Sequence, residues 1–499
     1  MAVGTAARRQ HIVLIPFLAQ GHIIPFLALA RRIAQRHPGR FILTVVSTPL
    51  NVRGLRSSLH PDAGVLLREL PFRGADHGLP PGAESTDSVP QGLLFKVFQA
   101  SASLRTEFEG LVAEDIPRED GCPPLCIIAD VFMGWTVHVA RQLGVFHATF
   151  TTCGGLGTAA YFAIWLHLPH LNAASEEDDF GVPGFPETFR LRRSQMSPTL
   201  KNAHERDPWV ILLREQITFC CSSDAMLCNN AEALEPTGTA LLQKNTGVPV
   251  FSIGPILPPE TISSAGRAAK VLGIAPEACI EWLDAHPPRS VLYVSFGSQN
   301  SVSAQQMVQL AAGLEASGRS FIWVIRPPFG FDVKGQFRAE WLPEGFEERA
   351  RSSGRGLLVR DWAPQLEILA HGSVGAFLSH CGWNSTLESL ARGVPLIGWP
   401  MAAEQFYNVK MLEEEMGVCV ELARGLVQEV EAAEVERVVG MVMGEEKGKE
   451  MRRRAVKAAE VIRAATREEG GEKGTSLAAL DAFLEAVQQG TPATGNSAA

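Results

Sequence analysis

Apolar positions in the first part of the chain gather into short continuous runs, separated by longer stretches in which they recur every three or four residues. His11–Pro16, Phe41–Ser47, Gly64–Leu70 and Leu125–Ala129 read as strands, and Pro25–Arg36 and Gly134–Leu143 as helices. Strands that are apolar throughout are covered on both faces, and their alternation with helices means βαβ units around a parallel sheet. From Gly254 to about Lys270 the composition turns to Pro, Ser, Gly and Ala, which reads as a linker. The alternation then restarts, with strands at Ser290–Ser295, Phe321–Ile325, Gly356–Val359, Val374–Leu378 and Pro395–Trp399, and helices at Ser303–Ser317 and Ser385–Arg392. The pattern predicts an α/β protein of two Rossmann-like doubly wound domains, 1–254 and 271–470, joined by a linker over 255–270. A C-terminal helix over 471–488 and a disordered tail over 489–499 follow. The charged segment Glu445–Lys473 reads as a solvated helix face. Open sheets of this kind bind ligands at the C-terminal ends of their strands, so two such domains offer a cleft with one substrate on each wall.

Composition narrows the partners. With 499 residues, 46% of them apolar, the chain can bury two cores. A formal charge of −9 argues against nucleic acid or an anionic membrane, although a few N–H groups could still hold a small anion. The nine cysteines form no CxxC pair, so neither a zinc site nor a disulfide framework is expected, and a reducing, cytoplasmic compartment fits. Arg8 and Arg9 before an apolar run loosely mimic a signal peptide, but Pro16 interrupts the run and no small-residue cleavage site follows. No run reaches the ~18–20 residues of a membrane span.

The densest chemistry lies between Trp362 and Gln405, WAPQLEILAHGSVGAFLSHCGWNSTLESLARGVPLIGWPMAAEQ. A strand ends at Ser379-His380, a tight turn follows at Cys381-Gly382-Trp383, and Asn384-Ser385-Thr386 opens a helix that Gly393 and Pro395 close. The unpaired N–H groups of such a helix start, with His380, Asn384 and Ser385 around it, form an anion site. Glu388, one turn deeper, could accept both hydroxyls of a ribose. Simpler readings exist for each piece: Ser385–Glu388 is also a capping box, and Trp362 and Trp399 are also core tryptophans.

Taken whole, these 44 residues resemble the signature box of the plant family-1 UDP-glycosyltransferases, secondary-product enzymes with the two-domain GT-B fold. The match is the unbroken pattern W-A-P-Q…H-C-G-W-N-S…E…G-V-P…P…E-Q. Weaker resemblance extends to Gly21-His22…Pro25-Phe26, Leu79–Pro90, Val182–Pro198 and Tyr293–Ser298. The resemblance implies that Trp362 stacks on uracil while the Ala363 backbone reads its edge. It implies that Gln365 and Glu388 hold the ribose, and that Ser298, His380, Asn384 and Ser385 cradle the diphosphate. Trp383, Glu404 and Gln405 would bind the sugar hydroxyls. Glu404 stands where many relatives have Asp, and Gln405 leans the donor toward UDP-glucose. The N-terminal domain would bind the acceptor, and the last helix would pack back on it.

Transfer to a hydroxyl needs one base, because UDP leaves without a protonating acid; this differs from the two carboxylates of a glycosidase. His22, in Gln20-Gly21-His22-Ile23-Ile24-Pro25, falls where the first strand turns into its helix. Position alone leaves it open between base and packing residue. A helix start favours neutral imidazole, Gly21 allows a tight turn, and Pro25 suits the first helical turn. The family's catalytic histidine stands at this Gly-His position. Its partner aspartate follows a strand like Leu125–Asp130, which assigns Asp130 to the inner N–H of His22 over the alternative of a helix cap. Thr151 is a further candidate for the sugar or a phosphate, with Thr152 close behind. No Asp-x-Asp motif stands at a strand end, so no metal and no cofactor are expected. The whole reads as an inverting, metal-independent transfer of glucose from UDP-glucose to a small lipophilic acceptor by a monomer. Alternatives are another UDP-sugar, a silent UDP-sugar binder, a glycoside hydrolase, or an oxidoreductase, the last lacking its phosphate-binding glycines. The acceptor pocket is expected near Pro80–Gln91, Phe95–Phe98, Thr151–Phe162 and Pro183–Thr199.

Overall fold

The computed structural model describes residues 10–59, 63–257, 273–332, 335–426 and 428–490. Most of the expected linker, from 258 on, and the expected tail from 491 on lie outside the described residues.

The first sheet has seven parallel strands: β1 (Gln10–Ile15), β2 (Phe41–Ser47), β3 (Val65–Glu69), β4 (Cys126–Asp130), β5 (Phe146–Thr151), β6 (Ala225–Cys228) and β7 (Val250–Ser252), in the order β3-β2-β1-β4-β5-β6-β7. Ile12 of β1 sits beside Leu43 on one side and Cys126 on the other. Alternate residues of β1 serve two cores, as strand geometry requires. Ile12 and Leu14 pack with Phe26 and Leu29 of helix α1 (Gln20–Arg36), while Val13 and Ile15 pack with Phe108 and Trp135 on the opposite face.

The second sheet repeats the plan in six strands: β8 (Val291–Ser295), β9 (Ser320–Ile325), β10 (Gly356–Arg360), β11 (Val374–Ser379), β12 (Leu396–Gly398) and β13 (Cys419–Glu421), in the order β10-β9-β8-β11-β12-β13. In both sheets the order reverses beside the first strand, which opens a crevice at the strand ends. Strands β6, β7 and β13 were not anticipated, since each spans only three or four residues, too few to show a period. The charged segment forms a helix, Glu446–Thr466, whose inner face (Met451, Ala455, Ala458, Ile462) is buried.

Helix α1 starts at Gln20 rather than near Pro25, so Pro25 lies inside it and His22 is its third residue. Nor does Gly21 make a left-handed turn, because no positive φ occurs there.

The last described helix, Thr475–Gln489, lies on the first domain. Its Leu480, Phe483, Leu484 and Val487 share the core of Ile12 and Leu14. The Phe483 ring stands 5.7 Å from Phe251 and 6.3 Å from Phe146. Ser476 Oγ donates to the Gly254 carbonyl, and Asp481 accepts from Arg36 at 3.0 Å. Phe483→Ala should therefore destabilise the first domain by about 3–5 kcal/mol through the cavity it opens. Urea unfolding followed by tryptophan fluorescence measures this; a loss under about 1 kcal/mol would mean that the helix merely rests on the domain.

Candidate active site

Both sheets direct their C-terminal strand ends at one cavity of about 800 Å³. Its walls arrive in strand order. Phe17 to Pro25 follow β1, Phe132 follows β4, Thr152 and Cys153 follow β5, and Ser295 to Asn300 belong to the end of β8 and its loop. Asp361 to Gln365 follow β10, His380 to Glu388 follow β11, and Met401 to Gln405 follow β12.

His22 borders the cavity, its ring 5.7 Å from Phe17 and 5.5 Å from Phe132. Its Nδ1 meets Asp130 Oδ2 at 2.7 Å. Asp130 is fully buried at the end of β4, and its other oxygen accepts the Phe132 N–H at 3.0 Å. Burial disfavours charge on His22, but the charge and hydrogen bond of Asp130, with a smaller contribution from Glu404, outweigh it and raise the pKa above 6.5. Against the lowering expected of a helix start, the combined charge and hydrogen bond of Asp130 set the direction of the shift.

Across the cavity, helix α2 (Trp383–Ala391) opens after a turn in which Cys381 takes a φ of 57°. Its cap is Gly382, with no side-chain hydrogen bond, so the Ser385–Glu388 capping box does not form. The Glu388 carboxylate instead accepts from Gln365 Nε2 at 2.7 Å, and that nitrogen also lies 3.2 Å from Ser385 Oγ. Tyr293 donates to Gln365 Oε1 at 3.1 Å, fixing the amide's orientation. Burial, aided by the Arg326 charge, pushes the His380 pKa down to about 4, so its ring is neutral at physiological pH. Its Nδ1 is buried without a hydrogen-bond partner among the described residues.

Of the residues expected in the donor box, Ser298, Trp362, Ala363, Gln365, His380, Trp383, Asn384, Ser385, Glu388, Glu404 and Gln405 all line this cavity. Gln405 Oε1 accepts the N–H groups of Met401 and Ala402, both at 2.9 Å, which reserves its NH₂ for donation. Burial raises the pKa of Glu404, which forms its wall beside His22. The Trp383 indole is already committed: Nε1 donates to the Asn229 carbonyl of the first domain at 2.7 Å. Thr151 needs correcting. Its hydroxyl is buried against Thr158 Oγ1 at 2.8 Å and the residue does not line the cavity, while Thr152, one residue on, does. Trp399 is core, wholly buried with its Nε1 on the Gly425 carbonyl.

The first-domain wall is aromatic: Phe17, Phe98, Phe132, Tyr161, Trp165 and Trp209 line it. Gln91, Gly92, Leu94 and Ser197–Leu200 complete it, so the expected segments near 80–91, 95–98, 151–162 and 183–199 each contribute only in part. Pro183 belongs to a separate small cavity of about 110 Å³. Phe17 and Trp209 were missed, although Pro208-Trp209 at the head of an apolar helix was a usable signal. Arg326 was missed as well. It follows β9 and donates to the carbonyls of Gly297, of Ser298 at 2.6 Å and of Asn300 at 3.1 Å, fixing the loop that carries Ser298. Among the described residues, no three His, Cys, Asp or Glu side chains converge as a metal site, and no helix is long and apolar enough to cross a membrane.

Two Rossmann-like sheets whose strand ends meet at one cavity make the two-domain arrangement of the GT-B glycosyltransferases. The family model of UDP-glucoronosyl and UDP-glucosyl transferases matches residues 250–456. Crocetin glucosyltransferase 3 of Crocus sativus is 50% identical over 446 residues, covering 88% of this chain and 92% of that one. UDP-glycosyltransferase 92A1 of Arabidopsis thaliana is 40% identical, covering 96% and 97%. The structure of Glycyrrhiza uralensis UGT73P12 with glycyrrhetinic acid 3-O-monoglucuronide superposes with a TM-score of 0.82 at 28% identity, covering 97% of this chain and 96% of that one. Phytolacca americana UGT2 with UDP-2fluoro-glucose and pterostilbene gives 0.76 at 29%, covering 96% and 100%. The chain belongs to the plant family-1 UDP-glycosyltransferases, enzymes that move a sugar from UDP to small molecules.

The Trp383–Asn229 bond ties the two domains directly beneath this site. Trp383→Phe strands a buried carbonyl and should cost about 1–2 kcal/mol. A urea midpoint unchanged from the parent protein would show that water replaces the bond.

Proposed function

We propose that the protein transfers glucose from UDP-glucose to a hydroxyl of a small lipophilic acceptor, with inversion, in the cytoplasm and as a monomer. The observation that carries this reading is the His22–Asp130 pair at 2.7 Å, set in an aromatic wall opposite the donor-box residues of the same cavity. His22 takes the acceptor's proton as its oxygen attacks the anomeric carbon, and UDP departs on the far side. Asp130 holds Nδ1–H, leaves Nε2 as the base and stabilises the imidazolium that forms.

Trp362 and the Ala363 backbone would hold uracil, and the Gln365–Glu388 pair the ribose. The start of α2 with Ser298, His380, Asn384 and Ser385 would take the diphosphate, where N–H dipoles do the work a cation does elsewhere. Trp383, through its backbone N–H, would join Glu404 and the Gln405 amide at the sugar, with Thr152 in the role first given to Thr151. Glucose is favoured by Gln405 and by the relatives named as glucosyltransferases. The aromatic wall favours a flavonoid, another phenolic, a terpenoid or a hormone.

His22→Ala should lose transfer by about a hundredfold or more while UDP still binds; near-normal transfer would overturn the base assignment. UDP release against an aglycone panel, with mass spectrometry of the products, tests donor and acceptor together. Faster turnover with UDP-galactose or UDP-xylose would replace glucose as donor. EDTA should leave the rate unchanged, and a loss restored by a divalent cation would refute metal independence.

The pH profile gives an independent check. His22 acts only when unprotonated, and its pKa lies above 6.5, so transfer should fall as pH drops through that raised value. Asp130→Asn removes the charge that raises it. The slower variant should keep its residual rate to lower pH, and an acid limb that stays in place would separate Asp130 from His22.

A further inference from the structure

Helix α1 holds a proline in its interior. An α-helix bonds each N–H to the carbonyl four residues earlier, so Pro25, which has no N–H, cannot serve the carbonyl of Gly21. A carbonyl that loses its helical donor needs another partner. This one finds its partner in the other domain: Asn384 Nδ2 donates to Gly21 O at 2.8 Å.

The two ends of that bond matter. Gly21 directly precedes His22, and Asn384 is the second residue of α2, whose start faces the cavity. An asparagine amide has two N–H groups and one oxygen, so a hydrogen bond to Gly21 leaves one N–H and Oδ1 for a ligand. One side chain can therefore touch the donor wall and the backbone of the base at once. We propose that Pro25 and Asn384 are a positioning pair: the proline frees the Gly21 carbonyl, and the asparagine uses it to set the distance between His22 and the sugar carbon. The proposal rests on the reading of His22 as the base.

With alanine at 25, the restored N–H would draw the Gly21 carbonyl back along the helix axis and compete with Asn384. Small misplacement of a base is costly to rate, whereas removing an interior proline should not weaken a helix. Three proteins test this: Pro25→Ala, Asn384→Ala and the double variant, each assayed for kcat, UDP affinity by calorimetry and melting temperature. Pro25→Ala should lower kcat about tenfold, melt no lower than the parent and bind UDP within about twofold. In the Asn384→Ala background the same change should have little further effect, because the bond is already gone.

A stable Pro25→Ala enzyme with parental kcat would overturn the proposal. So would an effect undiminished in the double variant, or a lower melting temperature with activity lost in proportion, which would make Pro25 a packing residue. His22→Ala assayed alongside separates the two claims: its inactivity with a fully active Pro25→Ala keeps the base and removes the pair.

Discussion

A parallel sheet releases its chain toward helix starts at one edge only, and here two sheets turn that edge to the same cavity. Everything polar in the site follows from that constraint. Strand ends deliver Asp130, Ser298, Trp362 and His380 within a few residues of a rigid ladder, so each is placed by sheet geometry rather than by a long loop. The same constraint creates a burden, because backbone groups at a sheet edge lose their ladder partners while being walled off from water. The hydrogen bonds across the cleft answer it. Trp383 to Asn229 O and Asn384 to Gly21 O each satisfy a backbone carbonyl of the first domain, and Gln299 to Thr86 Oγ1 adds a side-chain bond across the same cleft. Domain interfaces are mobile by default; these bonds define one closed register.

Electrostatics follow the same economy. Among the described residues lining the cavity there is no lysine or arginine. Arg326 lies just behind it, but its guanidinium is engaged by three carbonyls of the loop that carries Ser298. Its charge reaches the site indirectly, helping to keep His380 neutral. An anion at the start of α2 therefore meets oriented N–H groups and neutral donors rather than a mobile ammonium. Such a cradle is more selective for geometry than for charge.

The fold was legible because buried parallel strands are continuous apolar runs, and the longer ones, such as Phe41–Ser47 and Val374–Ser379, stand out in the sequence. β7 and β13, of three residues each, owe their pairing to neighbours and carry no periodic signal of their own. The wall formed by the second domain was legible because its expected residues, Ser298 apart, fall within one stretch of sequence, Trp362–Gln405, that spans three successive strand ends. The aromatic wall of the first domain was legible only in part, since Phe17, Phe98, Phe132 and Trp209 come from four separate segments and meet only in three dimensions. Thr151 failed for a local reason. Neighbouring residues at a strand end face opposite ways, so an error of one residue exchanges the cavity for the core.

On the proposed reading of His22 as the base, acceptor binding and proton transfer cannot be tuned apart. Phe17 and Phe132, which flank the imidazole, also line the wall available to an apolar acceptor. Rings that exclude water there strip solvation from an imidazolium and oppose its formation. Asp130, fully buried and held by the Phe132 N–H, supplies the compensating charge from the side away from the cavity. The residue whose ring shapes the apolar wall thus steadies, through its backbone N–H, the aspartate behind the histidine. Widening the pocket at position 132 would change the apolar surface and the hydration of His22 in a single step, while the backbone N–H that holds Asp130 would stay in place.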